Sequence, residues 1–183
     1  MVSLYSLSTL LVTISAFVIK RADKMDCGRA KYCGVLTLER GDGPGNYYHD
    51  TPVVHGLWPE NGQFGNSACV GGNKNQPMPT VPCYTDKDFQ QHEWEKHGYC
   101  AASTPTSFFN TVCSLSKQPL ELMADWKREG YSLDDMASAF EQLGFGIFDT
   151  NPSKDELMIS VCAGTNLQWK FSTVRDFSTK CGN

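Results

Sequence analysis

The sequence predicts an α+β fold: a mostly antiparallel sheet packed against several helices, in a single domain stabilised by disulfide bonds. Three observations support this prediction. Strand-like segments lie near both ends of the chain, helix-like segments fill its middle, and eight cysteines occur in 183 residues. Strands that are separated from helices along a chain favour an antiparallel sheet. Hydrophobic residues make up 40% of the chain, which is enough for one buried core at this length.

Two strands separated by a turn are expected in the first third of the chain. Residues 34–39 (GVLTLE) and 52–57 (PVVHGL) are rich in apolar and β-branched side chains, and the turn sequence GDGPGN lies between them. Residues 60–82 contain many Gly, Asn and Pro residues and are predicted to form a long loop. A loop of that length in a small domain usually has a function.

Four helices are expected next, because a capping side chain or a proline precedes each helix-like segment. They begin near residues 85, 104, 119 and 132. The first is expected to end at Gly98, and the last begins with Ser132 and Asp135 at the spacing of a capping box. Residues 156–162 (ELMISVC) and 167–174 (LQWKFSTV) are predicted to form a closing pair of strands.

The charge balance limits how the protein can bind nucleic acid. The chain has 16 Lys and Arg residues against 20 Asp and Glu residues, a formal net charge of −4. An acidic surface argues against binding through a broad positive field. It remains compatible with an enzyme that contacts one or two phosphates.

The even number of cysteines predicts a disulfide framework formed in an oxidising compartment. Zinc binding is the alternative, but no C-x-x-C pair occurs, so the spacing typical of zinc ligands is missing. Spacing alone does not fix the pairing. The cysteines are Cys27, Cys33, Cys69, Cys83, Cys100, Cys113, Cys162 and Cys181.

The N-terminal segment predicts a secretory leader at residues 1–21, which leaves residues 22–183 as the mature domain. Residues 2–19 carry no charge and are largely apolar, and Lys20-Arg21 ends this stretch. A short membrane anchor is the alternative, but the many hydroxyl side chains make it a poor span. We expect a protein that is extracellular or in the lumen of an acidic secretory-pathway compartment, without stable membrane association after leader removal.

Three of the four histidines lie in two dense segments. The first segment is HGLWPE, at His55–Glu60, and the second is HEWEKHGYC, at His92–Cys100. The fourth, His49, lies in a Tyr-rich turn and is expected at the surface. A lone histidine is more often structural than catalytic, but this concentration favours a reactive site.

The second segment places four ionisable side chains on one face of an ideal helix. At about 100° per residue, His92, Glu93, Lys96 and His97 share one arc, while Trp94 points towards the core. The alternative is a solvated face with ordinary i,i+4 pairs. A zinc-peptidase site is a third interpretation, but the two histidines are five residues apart instead of four, so their rings diverge.

Two imidazoles, a carboxylate and a lysine suit transfer at a phosphodiester. One imidazole takes a proton from the attacking hydroxyl while the other protonates the leaving oxygen. The ammonium stabilises the charge that develops on the phosphoryl oxygens. If the attacking group is a ribose 2′-hydroxyl, the reaction needs no metal and cleaves RNA but not DNA. Imidazole ordinarily titrates near pH ~6.5, so mildly acidic conditions are expected.

The two histidine segments resemble the active-site segments of the ribonuclease T2 family, the secreted acid ribonucleases. HGLWPE and HEWEKHGYC are near-complete, occur in the expected order, and are each followed by a cysteine. The similarity extends over roughly residues 33–182. It implies a secreted endoribonuclease that acts on single-stranded RNA, needs neither cofactor nor metal, and works as a monomer. The implied product is a 2′,3′-cyclic phosphate, which is later hydrolysed to a 3′-phosphate.

The resemblance also implies a role for each residue that matches the family pattern. His55 would act as the general acid towards the leaving 5′-oxygen, and His97 as the general base for the 2′-hydroxyl. Glu93 and Lys96 would stabilise the pentacovalent phosphate. His92 would help to bind phosphate or substrate.

Base-binding residues are implied by the same resemblance. Trp58 matches a tryptophan that stacks on a base, with core packing as the alternative interpretation. Glu60 matches an acid that contacts a base, and Phe64 is a candidate for a second stacking surface. The implied disulfide bond joins Cys69 to Cys100.

Two further disulfide expectations and one departure accompany the resemblance. Cys83 is expected to pair with Cys27 or Cys33, and Cys162 with Cys181. The Gln-Trp-Pro-like element that usually follows the first strand of the family is replaced here by LTLERGDGP. A non-enzymatic secreted effector or recognition protein on the same scaffold is the alternative function. The intact set of candidate catalytic residues argues against it.

Overall fold

The computed structural model describes residues 24–182, so the predicted leader lies outside the described residues. Its centre is a five-stranded sheet in which every pairing is antiparallel. The strand order is β2-β1-β4-β3, and the short β5 also pairs with β4. The strands are β1 (Tyr32–Glu39), β2 (Val53–Pro59), β3 (Ile147–Asn151), β4 (Glu156–Ala163) and β5 (Lys170–Phe171). The predicted α+β class with a mostly antiparallel sheet is confirmed.

Most helices cover one face of the sheet, and the last of them packs against the other face. They are α1 (Lys87–Glu93), α2 (Tyr99–Ala101), α3 (Pro105–Arg128), α4 (Leu133–Gln142) and α5 (Phe177–Cys181). A π-turn at Trp94–Gly98 joins α1 to α2 without a break. Within the described part of the chain, no helix is both long enough and apolar enough to span a bilayer.

Strand β1 is buried along its whole length because both faces of the sheet are covered. Leu36 and Leu38 point into the main core, which contains the buried aromatic residues of the helices. Cys33 and Val35 point into a smaller cluster on the other face. The polar residue at the end of this strand, Glu39, is also buried. A charged residue that is buried so deeply needs a partner of opposite charge. The partners of Glu39 belong to the site described below.

The structure differs from two predicted helix boundaries. Pro119 does not begin a helix but lies inside α3. A proline inside a helix cannot donate a backbone hydrogen bond, which costs stability. The buried packing of α3 residues such as Phe109 and Met123 offsets this loss. Gly98 does not end a helix either, because its backbone is helical. A Cβ atom at Gly98 would lie 2.6 Å from the ring of Trp94, so glycine is needed there for close packing.

Of the strand predicted at 167–174, only the two residues of β5 form, because Leu167 has a φ of 57° that an extended strand does not contain. The remaining predicted elements agree with the structure. Both first strands form, and the capping box of α4 has Ser132 and Asp135 bonded to each other's backbone N–H groups. No secondary-structure element other than a short 3₁₀ turn (Gly62–Phe64) occurs in the predicted loop at 60–82. Strand β3 was not predicted, because its sequence IFDTN contains two polar residues that favour turns.

Four disulfide bonds use all eight cysteines. Cys69 is bonded to Cys100, as the family resemblance implied, and Cys162 to Cys181. The expected bond from Cys83 to Cys27 or Cys33 is wrong. Cys27 and Cys33 are bonded to each other across six residues, and Cys83 is bonded to Cys113 in α3. This last bond ties the long loop to the helix that packs behind β2.

Candidate active site

A β-bulge in β2 positions the first candidate residue. Thr37 of β1 pairs with Gly56 and Leu38 pairs with Val54, so His55 is an extra residue between two regular pairs. A bulge of this kind redirects a side chain and is frequent beside active sites. The hydroxyl of Tyr84 donates a hydrogen bond of 2.6 Å to the carbonyl oxygen of His55 and thereby holds the bulged backbone.

Three buried carboxylates surround the imidazole of His55. Its Nδ1 lies 2.6 Å from Oε1 of Glu39 and 3.1 Å from Oε1 of Glu156. Its Nε2 lies 3.5 Å from Oε1 of Glu93. Burial alone would lower the pKa of His55, but Glu156, Glu39 and Glu93 outweigh it and raise the pKa to about 11. His55 is therefore an imidazolium across the neutral range.

The second segment begins as a regular helix. The side chain of Asp86 caps α1 by accepting hydrogen bonds from the backbone N–H groups of Asp88 and Phe89. At Trp94 the helix widens into the π-turn, in which backbone hydrogen bonds span five residues instead of four. Trp94 is 0% exposed, which agrees with its predicted place in the core.

Trp58 connects the two segments. Its Nε1 donates a hydrogen bond of 2.9 Å to Oε2 of Glu93, which is 0% exposed. Its ring stacks on the imidazole of His97, with centroids 5.0 Å apart and planes 28° apart. The same ring contacts His55 edge-on at 5.0 Å. Trp58 therefore lies against both histidines and holds the carboxylate between them.

His97 has the opposite electrostatic environment to His55. Burial lowers its pKa, and the positive charges of His55, His92 and Lys96 lower it further against the single opposing effect of Glu93. The ring is therefore neutral at neutral pH. Trp58 thus contacts one imidazole whose pKa is raised and one whose pKa is lowered. Two such groups are able to donate and to accept a proton at the same pH.

The four side chains that were predicted to share one helical face separate into two groups. Glu93 and His97 turn inward towards Trp58, whereas the side chains of His92 and Lys96 are exposed. The predicted arc used about 100° per residue, which holds for an α-helix but not for the π-turn after Glu93. Both exposed cations still act on His97, because they contribute to its lowered pKa.

The two remaining candidates lie beyond Trp58. Burial raises the pKa of Glu60 to about 7, so this carboxyl is close to half-protonated at neutral pH. Phe64, in the short 3₁₀ turn at Gly62–Phe64, is 59% exposed. Such an exposed aromatic ring has a face free for stacking.

Sequence reasoning missed several residues that line the site. Glu39 and Glu156 are described above, and Phe89 of α1 packs edge-on against His55 at 5.2 Å. The ring of Tyr47 lies alongside His55 at 6.2 Å. His49 was expected at the surface, and its side chain is 32% exposed, but its Nε2 also lies 2.7 Å from Oε2 of the buried Glu39. A glutamate that ends an otherwise apolar strand was the one available signal for Glu39.

One group among the described residues has the side chains of a metal site: Glu39, His55 and Glu156, whose donor atoms lie within 4.8 Å of one another. Donor atoms around a tetrahedral zinc ion are about 3.4 Å apart. Nδ1 of His55 and Oε1 of Glu39 are only 2.6 Å apart. That distance is too short for two ligands of one metal ion and fits an ion pair.

Gly56 makes the close approach of Glu93 possible. A Cβ atom at Gly56 would overlap the carboxylate of Glu93 and lie 2.8 Å from Nε1 of Trp58. We expect Gly56→Ala to destabilise the fold by about 1–3 kcal/mol through overpacking. Displacement of Glu93 by about 1 Å should lower activity by roughly a hundredfold. Denaturant unfolding and cleavage rates measure the two effects, and wild-type values for both would contradict the packing described here.

Known proteins share these segments. Residues 30–144 match the model of the Ribonuclease T2 family. A curated relative, Ribonuclease Oy of Magallana gigas, is 37% identical over 70 residues, which cover 30% of this chain and 33% of that protein. The alignment thus spans about a third of the relative's length.

Two solved structures also align with the chain. RNase NT in complex with 5′-AMP has 16% identity and a TM-score of 0.43, with 72% of this chain and 84% of that chain covered. The RNase-related protein from Calystegia sepium has 17% identity and a TM-score of 0.46, with 79% and 91% covered. The family match spans more than half of the sequence and includes both histidine segments. The chain therefore belongs to the ribonuclease T2 family.

Proposed function

We propose that the protein is a metal-independent endoribonuclease that cleaves single-stranded RNA by attack of the 2′-hydroxyl on the adjacent phosphate. The observation that carries this proposal is that two histidines from distant segments lie against the same ring of Trp58, in environments that shift their pKa values in opposite directions. The pKa of His55 is raised to about 11, and that of His97 lies below its ordinary value of 6.5. Membership of the ribonuclease T2 family supports the same reaction.

The proposed reaction has one transesterification step. Neutral His97 takes the proton of the 2′-hydroxyl as the oxygen attacks phosphorus, so the bond from phosphorus to the 2′-oxygen forms. The bond from phosphorus to the 5′-oxygen breaks, and the imidazolium of His55 gives its Nε2 proton to this leaving oxygen. The products are a 2′,3′-cyclic phosphate and a free 5′-hydroxyl. Water then opens the cyclic phosphate to a 3′-phosphate.

Three charged side chains are proposed to stabilise the transition state and bind the phosphate. The ammonium of Lys96 is exposed beside His97, where it is available to the phosphoryl oxygens. His92 is exposed on the same segment and would contact phosphate or a neighbouring nucleotide. Glu93 bonds Trp58 and faces His55, so we assign it the task of holding both rings in place.

Base binding is assigned to the side chains that follow the bulged strand. Phe64 offers a largely exposed ring for stacking, which tolerates any base because every base has a π-face. Glu60 lies between this ring and the catalytic residues in sequence and would accept or donate a hydrogen bond to a base edge. One face of Trp58 is already occupied by His97. We therefore propose weak base selectivity that depends mainly on Phe64 and Glu60.

The cellular context is proposed from the disulfides and the sequence. Four disulfide bonds are typical of oxidising compartments, so we propose a secreted protein or one in an acidic secretory lumen. Residues 1–21 would be the leader and residues 22–183 the catalytic domain, acting as a monomer. DNA would not be a substrate, because it lacks the 2′-hydroxyl that attacks.

The test is cleavage of a short single-stranded RNA and of the same sequence made as DNA. We expect RNA to be cut and the new ends to be 2′,3′-cyclic phosphates that convert slowly to 3′-phosphates, as measured by mass spectrometry. An RNA with 2′-O-methyl groups should resist cleavage, because its 2′-oxygen has no proton to lose. EDTA should leave the rate unchanged.

Three results would overturn the proposal. Cleavage of the DNA strand or of the methylated RNA would exclude attack by the 2′-hydroxyl. Loss of activity in EDTA, with recovery on adding a divalent cation, would require a metal mechanism. No cleavage of any RNA would favour the non-enzymatic alternative.

A further inference from the structure

Two glutamates that face each other across the sheet have no role in the reaction described above. Glu39 of β1 and Glu156 of β4 are directly opposite in the antiparallel register. They are 4% and 1% exposed. Like charges in this arrangement are destabilising, and buried carboxylates are costly without a partner. Two buried carboxylates that lie opposite each other need a cation between them.

We propose that Glu39 and Glu156 form a carboxylate pair that positions His55 and keeps it protonated, so that this enzyme retains its general acid at neutral and mildly alkaline pH. The inference rests on the proposed function. It extends that function, because acid chemistry at an ordinary imidazole would be confined to mildly acidic conditions.

The oxygens of the pair are divided between different partners. Oε2 of Glu39 lies 2.7 Å from Nε2 of His49, and Oε2 of Glu156 accepts a hydrogen bond of 3.1 Å from Asn151. The Oε1 atoms of both glutamates are left for Nδ1 of His55, at 2.6 and 3.1 Å. His49 and Asn151 thereby hold the two carboxylates in the orientation in which they meet one nitrogen.

This arrangement fixes the orientation of the imidazole. With Nδ1 held by the pair, Nε2 is on the opposite side of the ring, towards Glu93. Nε2 is the atom that must donate to the leaving oxygen. The β-bulge turns the side chain of His55 into this orientation, and the hydrogen bond from Tyr84 holds the backbone of His55. The pair is therefore a positioning device and does not itself contact the phosphate.

The charges around His55 favour its protonated form. Glu39 faces it from β1, Glu156 from β4 and Glu93 from α1. Lysines oppose this effect: Lys154 lies near the pair on the turn before β4, and Lys96 lies beside His97. The other histidines near the site are His49, which contacts Glu39, together with His92 and the neutral His97. Lys154 also contacts the ring of Tyr47, the uncharged residue beside His55. Three carboxylates therefore surround the imidazole of His55.

The test combines a pH profile with direct titration of His55. kcat/KM for a short RNA would be measured from about pH 4 to about pH 10 in the wild type, in Glu39→Gln, in Glu156→Gln and in the double variant. Glutamine keeps the size and removes the charge. Glu141→Gln, an exposed glutamate on α4, is the control for lost net charge. NMR of the imidazole C–H groups would follow the protonation of His55 in the same proteins, independently of activity.

We expect His55 to cause no high-pH limb in the wild type within this range. Each single variant should show such a limb, the double variant should show it at still lower pH, and Glu141→Gln should behave like the wild type. The fall should be in kcat with little change in KM, since the pair does not touch substrate. NMR should show wild-type His55 still protonated above about pH 8.

Wild-type titration of His55 near pH ~6.5 would overturn the inference, and so would unshifted pH profiles in folded variants. If a variant failed to fold, the NMR titration of the wild type would still show whether His55 stays protonated at neutral and mildly alkaline pH. Absence of RNA cleavage at every pH would overturn the proposed function instead, because the NMR signal of His55 does not depend on catalysis.

Discussion

Replacing His55 or His97, the proposed general acid and general base, with alanine is expected to lower kcat/KM for RNA cleavage by about a thousandfold. General acid and general base catalysis each contribute roughly 10²–10⁴-fold. His97→Ala removes the base for the 2′-hydroxyl, and His55→Ala removes the acid for the 5′-oxygen. The double variant should lose less than the product of the two effects, because the groups act in one concerted step.

Single-turnover cleavage of a labelled RNA measures this loss. Tyr48→Ala is the control, because Tyr48 is an exposed aromatic residue in the loop before β2. His55→Ala also leaves Glu39 and Glu156 without their shared cation, so its free energy of unfolding should fall as well. His97→Ala should not have that second effect. Activity within about tenfold of wild type in both single variants would refute the assignment of acid and base.

Replacing Trp94 with alanine is expected to have the largest effect on stability. Its side chain is fully buried, its ring packs against Phe108 with centroids 6.0 Å apart, and its Nε1 donates a hydrogen bond of 3.1 Å to the carbonyl of Asn73. Truncation of a buried tryptophan costs about 3–5 kcal/mol. Since Trp94 begins the π-turn that carries His97, kcat should fall together with stability.

Urea unfolding with the disulfides intact measures the change in the free energy of unfolding. Trp94→Phe is the matched comparison, because it keeps an aromatic ring in the core and loses only the hydrogen bond and part of the volume. Its cost should be smaller, about 1–2 kcal/mol. An equal cost for the two variants would mean that the hydrogen bond to Asn73, rather than packing, holds the π-turn.

Local sequence signals were sufficient for most of the architecture. The first two strands, the capping box at Ser132 and the proline that begins α3 all act within a few residues, so their effects are visible in a short stretch of sequence. Pro119 shows where such signals fail, because packing along α3 overrides the preference of one residue. The short strand β3 forms because it pairs with β4, which is a non-local effect.

The candidate site was predictable only in part. The histidine segments identified His55, Glu93 and His97, which the structure brings together around Trp58. The pairing of Glu39 with Glu156 depends on strand register between distant parts of the chain. The contacts of Trp58 with the two histidines and Glu93 depend on the β-bulge at His55 and on the π-turn at Trp94–Gly98. Neither irregularity has a reliable signature in one sequence.

The π-turn at Trp94–Gly98 makes chain length as important as residue identity. A π-turn contains one residue more than a regular α-turn. Deleting one residue between Trp94 and His97 would let the helix relax to α-geometry and would turn His97 about the helix axis, because the number of residues per turn changes there. His97 would then move off the ring of Trp58, although each catalytic side chain would still be encoded. A one-codon deletion in this stretch would thus inactivate the enzyme as effectively as losing a histidine.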